Sequence, residues 1–221
     1  MRKVKLMSPS RNELLAKYGE ERIFVVPFAA CEKIPDGYKS GYKYHKIPVQ
    51  KGQFVLRADA EYNFALVQPI PYLIVVNEKL DKAYVTKRIA GEERLKDSYA
   101  LGCGGHINPE DATSLKAGGP DFLLDNGALR ELSEELNVVY ADVRRPLKKV
   151  GTVRDMTSET KEHIGIVYLV TVNSASVKEK DNLQGEWMTF EDLINQYQKF
   201  ESWGRLIIDA AYESGKRFGG L

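Results

Sequence analysis

Apolar residues fall along this chain in two rhythms, short near-continuous runs and runs spaced for helices. Ile23-Phe24-Val25-Val26-Pro27-Phe28 predicts a short strand, and the turn-rich, aromatic and basic residues 35–46 after it predict an exposed loop. Residues 72–76, Tyr-Leu-Ile-Val-Val, predict a buried strand. Residues 77–82 form a turn and 83–88 an alternating partner, which together make a β-hairpin. The apolar run 163–172 is long enough to cross a sheet. Between these strands, residues 128–136 are nearly all helix formers, with Asn126 or Asp125 placed to cap them and Asn137 placed as a left-handed C-terminal cap. Thr189 and Asp192 form a capping-box pattern ahead of Leu193, Ile194 and Tyr197, and a last amphipathic helix covers roughly 203–212. The pattern is that of an α+β chain, with an N-terminal extension over 1–70 packing on a core over 71–221.

Composition narrows the function classes. Lysine plus arginine nearly balance aspartate plus glutamate, leaving a formal +1, so nothing drives bulk binding to nucleic acid or to an anionic membrane. The basic N-terminus lacks the apolar run of a secretory signal, and no segment approaches the ~18 apolar residues of a membrane span. A cytoplasmic protein is expected. The two cysteines, Cys31 and Cys103, are far apart and form no CxxC, which points to neither a disulfide framework nor a zinc site.

The helix over 128–136 carries the chemistry. Glu131, Glu134 and Glu135 fall at i, i+3 and i+4, so their carboxylates share one face, while Leu129, Leu132 and Leu136 share another. Crowding three like charges on adjacent helix positions costs stability unless something positive sits beside them. Carboxylate oxygens are the ligands Mg²⁺ prefers, and the ion completes its shell with waters and phosphate oxygens.

In context these residues resemble the Nudix superfamily, whose box runs Gly-x5-Glu-x7-Arg-Glu-U-x-Glu-Glu-x-Gly-U with U a bulky aliphatic residue. Arg130-Glu131-Leu132, Glu134-Glu135 and Val138 match the second half, with Asn137 in place of its glycine. Upstream, Gly104-Gly105-His106-Ile107-Asn108-Pro109-Glu110-Asp111 resembles the loop that opens the box, with Asp111 at the acidic position. Residues 112–129 make the interval about eleven residues longer than the family spacing, an insertion a surface loop absorbs at small entropic cost. The likeness spans about residues 70 to 200, and is strongest to the subgroup with an inserted box and an N-terminal extension.

The resemblance implies an α/β/α sandwich around a mixed sheet. It also implies a metal-dependent pyrophosphohydrolase that takes a nucleoside diphosphate derivative or a related small phosphoanhydride. Its cofactor would be Mg²⁺, or Mn²⁺ in its place. Glu134, Glu135 and the Gly104 carbonyl would hold the metal, with Glu131 joining them or orienting water, and Arg130 would fix a glutamate by a forked pair. Asp181 and its neighbour Glu179 are the downstream candidates for the base, with Glu159, Glu162 and His163 weighed beside them. His106, Arg57 and Arg88 are the expected substrate contacts, and the Tyr-Lys alternation through Tyr38, Tyr42 and Tyr44 offers a surface for stacking a base. A homodimer is compatible, since related domains often pair. Two other expectations stand: a catalytically silent Nudix-fold module that binds a nucleotide-like ligand, and isoprenoid diphosphate isomerase chemistry, for which Cys103 is the cysteine in place.

Overall fold

The computed structural model describes residues 8–89, 98–114, 121–141, 147–158, 160–178, 180–181, 183–215 and 217–221. In chain order the helices are α1 (Arg11–Tyr18), α2 (Phe28–Cys31), α3 (Arg57–Ala60), α4 (Asp121–Glu135), α5 (Phe190–Asn195) and α6 (Ser202–Ser214). The strands are β1 (Arg22–Pro27), β2 (Gly37–Ser40), β3 (Gln53–Leu56), β4 (Leu66–Asn77), β5 (Lys82–Arg88) and β6 (Tyr99–Ala100). They continue as β7 (Cys103–Gly104), β8 (Leu136–Tyr140), β9 (Lys148–Arg154), β10 (His163–Val177) and β11 (Leu183–Thr189). Eleven strands join in one mixed sheet whose main path runs β11-β5-β4-β10-β9-β2.

The spine is β4 against β10, parallel from Gln68↔His163 to Asn77↔Val172. Both strands are buried on both faces over most of their length, as their unbroken apolar runs require. One face packs on α4 through Leu123, Leu124, Ala128 and Leu132, and the other on α5 and α6 through Leu193, Ile207, Ile208 and Ala211. This is the expected α/β/α layering.

Two prolines in the middle of β4 shape the site. Gln68 donates its N–H to Glu162 of the β10 side, so the nitrogens of Pro69 and Pro71 face the opposite edge. There β4 pairs with β1 only at Leu66 and Val67 and with β7 only from Tyr72, so no strand asks the prolines for a donor. The ladder is open between those two contacts, and the loop after β7 fills the gap.

Several elements differ from the sequence pattern. Residues 37–40 of the supposed exposed loop are strand β2, paired with β9, and Tyr38 and Tyr42 are buried. Of the three tyrosines only Tyr44 is exposed, so the stacking surface is not formed. Helix α4 begins at Asp121, which places Asp125 and Asn126 inside it rather than at its cap. Their side chains serve other partners: Asp125 accepts from the Tyr168 hydroxyl, and Asn126 donates to the Asp111 carbonyl. Asn137 is no left-handed cap, because α4 passes straight into β8 and Asn137 pairs with Ser176 of β10. The carbonyls at the helix end are met from outside instead, Glu135 O by the Lys178 N–H and Ser133 O by the Lys178 ammonium. Thr189 and Asp192 do form the reciprocal capping box. The boundary drawn at residue 70 falls inside β4, and the N-terminal strand β1 bonds into the site loop through Phe24 N–H to Ile107 O at 2.8 Å. No helix among the described residues is long and apolar enough to cross a membrane.

Leu132 is fully buried while Leu129, expected on the same face, is 38% exposed. Leu132→Ala is expected to cost about 2–5 kcal/mol in denaturant unfolding. Leu129→Ala should stay within about 0.5 kcal/mol of the parent.

Candidate active site

Helix α4 lays its apolar side on the sheet and turns Glu131, Glu134 and Glu135 toward the glycine loop, as the helical spacing requires. The loop comes very near. A Cβ on Gly104 would stand 1.9 Å from the Pro71 carbonyl oxygen, and one on Gly105 would stand 2.6 Å from the Glu131 carboxyl. Only residues without a side chain let the loop thread between β4 and the acids.

Arg130 ties the parts together. Its Nε and Nη2 donate to the two carboxylate oxygens of Asp111, both at 3.0 Å, in a planar fork. Nη2 also donates to the His106 carbonyl at 2.6 Å, and Nη1 donates to Glu131 at 2.8 Å and Glu134 at 3.0 Å. Asp111 is 3% exposed and accepts a further bond from Asn108 N–H at 2.8 Å. The shorter acid at the box position thus locks the loop and the arginine. Burial works against the guanidinium charge, but the bonds from Asp111 and Glu131 prevail and raise its pKa. Burial, with Glu134 and Asp111 nearby, raises the Glu131 carboxyl above its ordinary range against the pull of Arg130.

The acids open on a cleft of about 600 Å³. Its floor includes Ile70 and Tyr72 of β4 together with the Gly102–His106 loop, and Glu131, Glu134 and Glu135 form one wall. Arg57, Thr160 and His163 line it, as do Arg88, Glu201 and Trp203. Arg57 is held by Glu61 (2.8 Å) and Glu21 (3.2 Å), with its guanidinium 4.2 Å from the centre of the Tyr18 ring. Arg88 and His106 also reach the cleft. Asp181 does not: it is exposed on the turn between β10 and β11 and does not line the cleft, which corrects its expected role as base. Glu179 and Glu159 lie outside the described residues. Glu162 is buried with an unpartnered Oε2 and does not line the cleft either.

The acid that sequence reasoning missed is Glu201, just ahead of α6. The Tyr72 hydroxyl, itself accepting from Gly102 N–H at 2.9 Å, donates to Glu201 Oε1 at 3.1 Å. Glu201 is open to the solvent of the cleft while protein crowds its other sides. That crowding raises its pKa, and the Tyr72 bond with Arg88 and Arg205 pulls it back. Cys103 also lines the cleft, where burial, with Glu135 beside it, holds its thiol well above the usual range.

Protein YmaB of Bacillus subtilis (strain 168) is 33% identical over 162 residues, covering 69% of this chain and 75% of YmaB. The crystal structure of Tm1382, assigned to the Nudix hydrolases, superposes with a TM-score of 0.70 at 28% identity, covering 86% of this chain and 97% of Tm1382. The chain belongs to the Nudix superfamily. No profile of an established family matches it. Asp111 and Arg130, expected in the two halves of the box, meet in space although residues 112–129 separate them in the chain.

As a metal site, the box of this Nudix chain would offer hard oxygen donors, carboxylates from one helix face beside the glycine loop. No group of three or more His, Cys, Asp or Glu among the described residues is placed to hold a metal ion by itself. A small hard cation that keeps several waters and phosphate oxygens does not require such a group. The donor set is compatible with such an ion held by Glu134, Glu135 and the Gly104 carbonyl, although Glu131 and one oxygen of Glu134 also serve Arg130 and Glu135 accepts from the Gly104 N–H at 3.4 Å.

Asp111→Ala removes the fork and leaves Arg130 short of its partner. A loss of about 3–5 kcal/mol in unfolding free energy is expected, whereas Asp111→Glu, with the same charge, should recover most of it.

Proposed function

We propose that this Nudix chain hydrolyses a diphosphate linkage in a small substrate, a nucleoside diphosphate derivative or a related phosphoanhydride, with a divalent cation, Mg²⁺ or Mn²⁺. The observation that carries the reading is the meeting of Glu131, Glu134 and Glu135 with a partly basic cleft of about 600 Å³, held in register by Arg130. A silent binding module would gain nothing from keeping mutually repelling carboxylates beside the ligand.

A bound divalent cation would supply charge neutralisation at the phosphate oxygens and lower the pKa of water. The chain's own residues do the rest. Arg130 keeps Glu131 and the glycine loop from shifting as substrate enters. Arg57, pre-set by Glu21 and Glu61, and Arg88 offer positive charge to the phosphate groups. Water attacks phosphorus, a new P–O bond forms, the bridging P–O bond breaks, and the leaving phosphate takes the electron pair. The proton lost by that water passes to Glu201, the cleft carboxylate whose raised pKa suits a base and whose direction Tyr72 sets.

Incubation with Mg²⁺ or Mn²⁺ and a panel of diphosphate compounds, with products identified by mass, is expected to yield two phosphate-bearing fragments from at least one compound. Glu134→Gln should lower kcat by about 100-fold or more. Binding of a nucleotide without turnover, unchanged in that variant, would favour the silent module.

The Glu201 role predicts an acid limb in kcat. Glu201 is active when ionised, so activity falls as pH drops through its pKa, and that pKa lies above an ordinary glutamate's. Tyr72→Phe removes a bond that favours the ionised form, so the limb should move to higher pH. Glu201→Gln should abolish it and lower kcat by about 10²–10⁴-fold.

A further inference from the structure

Gln68 is fully buried at the start of the parallel β4–β10 pairing, directly opposite His163. Its amide lies between two imidazoles: the atom placed as Oε1 stands 2.7 Å from His106 Nε2 and 3.0 Å from His163 Nε2, and the amide nitrogen is buried without a partner. The two rings, 5.5 Å apart, both line the cleft.

Proton counting decides which amide atom faces them. His163 Nδ1 lies 3.2 Å from the Thr160 carbonyl, an oxygen that can only accept, so Nδ1 carries the hydrogen. Burial, helped by Arg57, pushes the His163 pKa down against the pull of Glu61 and the Thr160 bond, so the ring is neutral. Its Nε2 is then a bare lone pair. An amide oxygen opposite that lone pair is repelled and leaves the amide nitrogen buried with no acceptor. The oxygen and nitrogen of a glutamine exchange by a half-turn of the amide, and the network chooses between them. With the –NH₂ toward the rings, its two hydrogens serve the two Nε2 atoms, and only a carbonyl oxygen is left without a partner, the milder defect.

His106 is thereby fixed as well. Its Nε2 accepts, so its hydrogen sits on Nδ1, which has no protein partner among the described residues and belongs to a ring that lines the cleft. We infer that Gln68 holds His106 as the Nδ1–H tautomer, so that an uncharged imidazole N–H is donated into the cleft to an anionic oxygen of the substrate. The ligand in this inference rests on the diphosphate reading of the cleft. The chain Thr160–His163–Gln68–His106 passes the choice of tautomer from a backbone carbonyl to the substrate contact, making Gln68 and His163 positioning residues.

The test combines a spectroscopic and a kinetic arm. In protein with ¹⁵N-labelled histidine, the His106 signals near neutral pH are expected to show a protonated Nδ1 and a bare Nε2. For turnover of a cleaved diphosphate, an asparagine amide nitrogen stands where Nδ1 does and a glutamine's where Nε2 does. His106→Asn is therefore expected to keep kcat/KM within about 10-fold, and His106→Gln to lose roughly 10- to 100-fold more, the value of one bond to a charged acceptor. Gln68→Glu, whose carboxylate can only accept, should move the proton to Nε2. A protonated Nε2 in the active parent protein, or equal losses in the two His106 variants, would overturn the inference and leave the diphosphate reading standing. A protonated Nδ1 in a protein that cleaves none of the diphosphates would overturn that reading, and with it the ligand assigned to the N–H.

Discussion

Everything at this site hangs on one guanidinium. Arg130 spends its planar array of donors on Asp111, Glu131, Glu134 and the His106 carbonyl, so four groups from a loop, a 3-10 turn and a helix share one rigid centre. Lysine could not do this, because a point charge cannot hold a carboxylate by a fork while reaching two other acceptors. Glu131 and Glu134 are tied to the arginine while Glu135 accepts from the Gly104 N–H, and all three line the cleft.

The N-terminal seventy residues enter the same argument. They supply Arg57 with the acids that hold it, the buried Gln68, and the β1 backbone donor that braces the glycine loop at Ile107. The open stretch of β4 around Pro69 and Pro71 gives that loop its seat. A residue type that usually ends sheets here leaves one edge free for a catalytic segment.

What the sequence made legible was local. The acidic face of α4 follows from helical spacing alone, and the hairpin of β4 and β5 from alternation and a turn. Contacts closed over long separations were not legible. Glu201 and Tyr72 are 129 residues apart, and no periodicity relates them. The service of Asp111 to Arg130 was hidden by the insertion between them. Tyr38 and Tyr42 were misread because lysines beside them suggested solvent, whereas strand β2 turns Tyr38 inward by alternation and the 3-10 turn just after it buries Tyr42. The early start of α4 was missed for a related reason: Asp125 and Asn126 look like caps, but tertiary partners draw their side chains elsewhere.

The direct passage of α4 into β8 sets a rule for how such a chain can change its length. With no turn between them, the pitch of the helix is geared to the ladder on β10. One residue added after Arg130 would rotate the N-terminal part of the helix by about 100° relative to its C-terminal part, or else flip every β8 side chain to the other face. A change of length within this helix is therefore constrained from its C-terminal end, where the β8 ladder fixes the register.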